Sequence, residues 1–185
     1  MTDRKLYKIH TTTNNMLKQF PLQTIENPYK VGFYGGVYKI SENHVAKTER
    51  NWNLWNDKNP CPYLEKWLDN LENILKTNIS AYEAGLNIPK PEGIYLISLK
   101  KPGIISHFKQ SQLVPALINQ QILGIPKSQI KNRHERKLAS KRFYDEIEKA
   151  KSLGFSPGDH KFDGNSLWDG NKIYLIDLDD WKIPH

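Results

Sequence analysis

Apolar positions along this chain change their spacing several times, and each change marks an element. Leu64, Trp67, Leu68, Leu71, Ile74 and Leu75 recur at three- and four-residue intervals, the signature of one face of an α-helix. Pro62 suits the first turn of that helix, and Gly85 to Pro91 ends it. A second stripe, Leu138, Phe143, Ile147 and Ala150, predicts a helix from about Gln129 to Leu153, stopped by Gly154. The stretch from about Gln112 to Leu123, broken by Gly124 and Pro126, reads as a shorter helix. Short apolar runs bounded by turn formers predict strands at Tyr29–Tyr34, Val37–Ile40, His44–Lys47, Gly93–Leu99 and Ile104–Phe108. Gly35-Gly36, Ser41-Glu42-Asn43 and Lys100-Lys101-Pro102-Gly103 are the expected turns. Ser166–Ile176 reads as an apolar hairpin. Residues 1–27 are polar apart from a strand-like Leu6–Ile9, and the Asn-rich connector 49–61 has Trp52 and Trp55 as expected anchors. Strands, helix, strands, helices and a hairpin make the class α+β.

Composition narrows the picture without choosing a function. At 185 residues the chain has room for one domain or one compact two-lobed unit, and 38% hydrophobic with 25% charged residues is ordinary for a folded globule. No apolar run approaches the ~18 residues of a membrane span, and Met1–Lys5 does not resemble a signal peptide. Cys61 stands alone, so an intrachain disulfide and a Cys-rich zinc site are excluded, and the histidines are scattered. The expectation is a reduced, cytoplasmic protein with no membrane partner. The formal charge of +7 suits phosphate-rich ligands, acidic proteins or nucleic acid, and is equally explained by solvated lysines. Its densest run, Lys127–Arg142, falls on a predicted helix that could touch RNA, but it lacks interleaved aromatic residues.

The chemistry concentrates in Gly154–Trp181. Phosphoryl transfer needs a carboxylate to orient the attacking hydroxyl, then an amide and a second carboxylate to hold Mg²⁺ against the phosphates. Asp159, Asn165 and Asp177 supply those groups in that order, and the hairpin between the last two returns one towards the other. Upstream, Gly32, Gly35 and Gly36 would let backbone N–H groups approach phosphates with no Cβ in the way. Lys47 closes the apolar run Val45-Ala46-Lys47.

These residues, in this order, resemble the protein-kinase-like superfamily. The phrase Gly154-Phe-Ser-Pro-Gly-Asp159 is similar to its approach to the catalytic aspartate, and Ile176-Asp177 to its metal-binding turn. The resemblance implies a two-lobed fold: a small antiparallel-sheet N-lobe over 1–108, and a reduced, mainly helical C-lobe over 109–185 that lacks the activation segment and later helices. It resembles the small atypical kinases of RIO type and the aminoglycoside phosphotransferases. By the same resemblance, ATP and Mg²⁺ are the cofactors. Lys47 holds the phosphates and pairs with a helix glutamate, Glu72 or else Glu65 or Glu83. Lys161 steadies the γ-phosphate, Asn165 and Asp177 ligate Mg²⁺, and Asp159 orients the acceptor hydroxyl. Two departures stand out: Asn165 falls one residue late for an H-x-D-x-x-x-x-N loop, and Pro157 lies where a histidine is usual. A bulge would absorb the extra residue, or Asp163 would face the substrate in place of Asp159.

Three readings follow. The first is a protein serine/threonine kinase, with a protein substrate or partner. The second is a small-molecule or RNA kinase on the same scaffold. The third is a pseudokinase, which binds nucleotide without turnover.

Overall fold

The computed structural model describes residues 30–31, 35–49, 64–100, 111–158 and 162–184. The expected strands at 6–9 and 104–108, the connector tryptophans, and the site residues Gly32, Asp159 and Lys161 lie outside them. So does the expected lobe boundary at 108/109. The described residues fall into two compact units: those up to 72 together with those in 92–118, and those in 73–91 together with those from 119 on.

The first unit is built on a five-stranded sheet. Its strands are β1 (Lys30–Val31), β2 (Gly35–Lys39), β3 (His44–Glu49), β4 (Pro91–Lys100) and β5 (Ser111–Gln120), ordered β1-β2-β3-β5-β4. β1–β2 and β2–β3 are antiparallel, with Val31 opposite Gly36, Gly36 opposite Thr48, and Val37 opposite Lys47. Tyr38 and Ala46 face each other and are both buried, so this face belongs to the core. Gly35-Gly36, expected as a turn, instead opens β2. The reason lies one pleat away: a Cβ on Gly36 would sit 2.8 Å from the Tyr38 ring, so the glycine leaves room for a buried aromatic on its own strand.

The helix expected around Gln112–Leu123 is a strand. Val114 to Ile118 are all buried, because β5 runs between β3 and β4. A strand covered on both faces has no polar alternation to show, so its continuous apolar run reads equally as helix or strand. Pro115, which a helix interior would not tolerate, is the local signal against a helix.

Helix α1 (Leu64–Glu83) contributes residues to both units. Trp67, Leu68, Leu71 and Ile74 are buried as the spacing predicts, and Ala81 continues the stripe. Helix α2 (Arg133–Ser152) starts at Asn132, whose side chain accepts from the N–H groups of His134 at 2.8 Å and Glu135 at 3.1 Å. Its inward stripe is Ala139, Phe143, Glu146, Ile147 and Ala150. Leu138, expected in that stripe, is instead 42% exposed, one position out of phase with it.

Both helices end alike. The Leu86 N–H donates to the Ala81 carbonyl and the Phe155 N–H to that of Ala150, each at 3.0 Å, past a glycine of positive φ, Gly85 at 78° and Gly154 at 85°. This stop turns the next side chain, Leu86 or Phe155, back into the core. Burying one such side chain stabilises by about 1.5–3 kcal/mol.

The second unit closes with a single helical turn α3 (Phe162–Asn165) and the antiparallel hairpin β6 (Ser166–Trp168) and β7 (Ile173–Leu175). Trp168, Ile173, Leu175, Leu178 and Trp181 bury against Phe143 and Ile147 in one apolar cluster. No helix among the described residues is long and apolar enough to cross a membrane.

Candidate active site

The hairpin register sets the Asn165 backbone beside that of Ile176, one residue before Asp177. Ser166 pairs with Leu175, and one step outward the Ile176 N–H donates to the Asn165 carbonyl at 2.8 Å. Partners across an antiparallel ladder lie ~5 Å apart, and Asp177 is one ~3.8 Å step beyond Ile176. The backbone then does something unusual. Asp177 has φ 66°, the sole non-glycine residue of positive φ among those described. Aspartate tolerates this left-handed conformation better than most residues, and such strain gathers at functional positions. Its effect here is to break the strand: Asp177 comes out exposed while Leu178 next to it is 3% exposed and belongs to the core.

The approach to Asp159 is tied to the same returning segment. Ser156 and Lys182 exchange two backbone hydrogen bonds, at 3.0 and 3.1 Å. Gly158 then passes so close to Asp180 that a Cβ would sit 2.6 Å from both its Cβ and its carbonyl oxygen. Only glycine fits that approach. Residues 156–158 and Asn165, at the end of α3, are thus both tied to the segment 176–182.

A buried polar junction supports β7 from behind. The Glu146 carboxylate, on a residue only 7% exposed, accepts from the Asn87 backbone N–H at 2.7 Å and from its side-chain Nδ2 at 3.0 Å. Lys149 Nζ lies 3.6 Å from the same carboxylate and donates to the Gly85 carbonyl at 2.6 Å. Asn87 in turn accepts at its carbonyl from the Leu175 N–H at 2.8 Å. One residue thus links α2, the loop after α1 and the strand leading to Asp177.

In the first unit, Lys47 sits on β3 opposite Val37, half-buried, on the sheet face opposite the buried Ala46 and Thr48. Glu72 is half-buried on α1, and Glu83 is exposed at that helix's end. Gly36 is flanked by both β1 and β3, and its carbonyl accepts from the Thr48 hydroxyl at 3.4 Å.

No family model and no curated protein matches the sequence. Solved structures do. A Stt7 homolog from Micromonas algae, soaked with ATP, superposes with a TM-score of 0.57 at 14% identity, covering 91% of this chain and 54% of that one. The Rio2 kinase of Chaetomium thermophilum, in an ADP/Mg²⁺-phosphoaspartate complex, gives 0.53 at 14% identity over 98% of this chain and 53% of that one. Rv3197 of Mycobacterium tuberculosis, in complex with erythromycin, gives 0.51 at 10% identity over 99% and 52%. The fold is protein-kinase-like. The chain spans about half the length of the structures it matches.

Within this kinase-like fold, three supporting residues escaped sequence reasoning. Glu146 and Asn87 are 59 positions apart, and nothing local marks their bond. Glu135 looks like a surface residue of a charged helix, yet it accepts from the Trp168 indole Nε1–H at 2.8 Å. Trp168 is buried, and its ring nitrogen requires an acceptor; that requirement is the one signal a sequence carries.

Proposed function

We propose that this chain is an ATP- and Mg²⁺-dependent phosphotransferase acting on a protein serine or threonine. The observation that carries the reading is the pairing of Asn165 with the strand end that delivers Asp177, at a backbone strained to bring that carboxylate out. An amide oxygen and a carboxylate are hard oxygen donors of the kind Mg²⁺ takes, so the chemistry of the donor set fits the ion. In this reading Asn165 and Asp177 hold the ion, and Lys47, with Glu72 as partner, holds the nucleotide phosphates. Asp159 orients the acceptor hydroxyl and Lys161 steadies the transferred group. Mg²⁺, when bound, neutralises charge on the phosphates. The solved neighbours soaked with ATP or holding ADP and Mg²⁺ support the class of ligand.

A second reading, a nucleotide-binding module without turnover, is favoured by one observation. Gly36 lies inside β2 with a neighbouring strand on each side, so its backbone groups point into ladders. Transfer of labelled γ-phosphate from ATP to the protein itself or to a generic protein acceptor separates the two. The kinase reading expects incorporation in Mg²⁺ that Asp177→Ala reduces at least a hundredfold. Nucleotide-dependent thermal stabilisation without any transfer would establish the binding module instead.

A further inference from the structure

The seven Lys and Arg residues between Lys127 and Arg142, against the single acid Glu135, supply +6 of the chain's net charge of +7. The structure settles which way this run faces. Lys131, Arg133, Lys137, Lys141 and Arg142 are all exposed, and none makes a salt bridge with a described residue. The one acid is withdrawn from them, its carboxylate bonded to the Trp168 indole. Arg136 is drawn aside as well, its Nε donating to the Ile130 carbonyl at 2.9 Å.

What remains is a cationic stripe with an aromatic at its end, bounded by the exposed acids Asp145 and Glu148, the second of them paired with Lys151 at 2.7 Å. Lys137, Lys141 and Tyr144 stand at i, i+4 and i+7, one face of α2, with a Cα rise of ~6 Å between the two lysines. Tyr144 is 62% exposed, and its ring meets Phe143 only edge-on, at a centroid distance of 5.4 Å. Its outer face is open. The sequence run Lys127–Arg142 contains no aromatic; the helix geometry brings one in from just beyond it.

We propose that this face of α2 binds single-stranded nucleic acid. Lys137 and Lys141 meet successive phosphates, with Arg133 one turn before them on the same face, and an unpaired base stacks on Tyr144. The ammonium groups draw any polyanion; the exposed ring beside them selects a strand whose bases are free to stack, which duplexes and acidic peptides do not offer.

The test is fluorescence anisotropy of the full chain with a labelled single-stranded RNA of about twelve nucleotides. A duplex of the same length and a polyglutamate peptide serve as competitors, over a salt series. The expected result is binding to the single strand that weakens with salt by ~0.7 log units per log unit for each phosphate neutralised. Lys137→Glu with Lys141→Glu should weaken it tenfold or more and flatten the slope. Tyr144→Ala should weaken single-strand binding about fivefold or more and leave duplex binding unchanged. All three side chains are exposed, and unchanged melting temperatures establish that the variants fold. Absence of oligonucleotide binding, or a charge-reversed variant that binds like the parent, would overturn the proposal. Duplex bound as well as single strand would also overturn it, as would polyglutamate competing equally, which would assign the face to acidic proteins.

Discussion

Replacing Glu146 by glutamine tests the claim that a bond far from the site holds the strand that delivers Asp177. The side chain keeps its shape, and its remaining carbonyl still accepts from the Asn87 N–H. The new amide, however, faces the Asn87 Nδ2 donor across the 3.0 Å where a carboxylate oxygen had accepted. One charge-assisted bond is lost and another becomes neutral. Each charge-assisted bond contributes about 1.5–3 kcal/mol, and a neutral one about 1 kcal/mol. Relief from keeping a buried charge offsets part of that loss, leaving a net of about 2 kcal/mol. For a chain of this length that lowers the melting temperature by roughly 4–8 °C. Thermal melts followed by circular dichroism would measure it, with Asn87→Ala and the double variant completing a cycle. The reasoning is refuted if Glu146→Gln melts within 1 °C of the parent, or if the two substitutions add with no coupling.

The other predictions concern separate parts of the second unit. Gly158→Ala, which would push a Cβ to 2.6 Å from Asp180, should destabilise by about 1–3 kcal/mol in urea titration; Gly164→Ala, with nothing within 4 Å of its Cβ, should leave the midpoint close to the parent's. Trp168→Phe removes the bond to Glu135 and should cost about 1–2 kcal/mol in the same assay. At the β6–β7 turn, burial acts to raise the Asp169 pKa, but the N–H groups of Lys172 and Asn171, with Tyr174 and the Lys172 charge, outweigh it and hold it below the usual carboxylate value. Its contribution is therefore present above about pH 4 and fades as pH falls through the lowered value, so the gap in urea midpoint between parent and Asp169→Asn should close in acid. Burial and the nearby Asp169 charge raise the Tyr174 pKa, so the parent should lose stability as pH climbs above about 10, and Tyr174→Phe should lose less.

How far the sequence foretold all this varied with the physics of each element. Helix α1 was legible because one face is buried and the other wet, which prints a 3.6-residue period. The β6–β7 hairpin was legible because Asp169, Gly170 and Asn171 are turn formers flanked by short apolar runs. β5 was misread for the opposite reason: covered on both faces, it prints no period. On α2, Leu138 drew attention by its hydrophobicity, while the smaller Ala139 holds the buried position, in phase with Phe143, Glu146 and Ala150. Gly35-Gly36 suggested a turn, yet Gly36 serves a neighbouring ring. At the site, the order Asn165, hairpin, Asp177 could be read, because a hairpin's register follows from its alternation. The left-handed Asp177, the squeeze at Gly158 and the Asn87–Glu146 bond depend on partners remote in sequence, and no local pattern encodes them.

The contacts made by Asn165 and by residues 156–158 have a mechanical consequence. Both are made to one strip of backbone, 176–182: Asn165 to its start, Ser156 to its end, with Gly158 wedged against Asp180 between them. Whatever grips or releases residues 178–182 acts on Asp177 and on Gly158 together, as one lever with two loads.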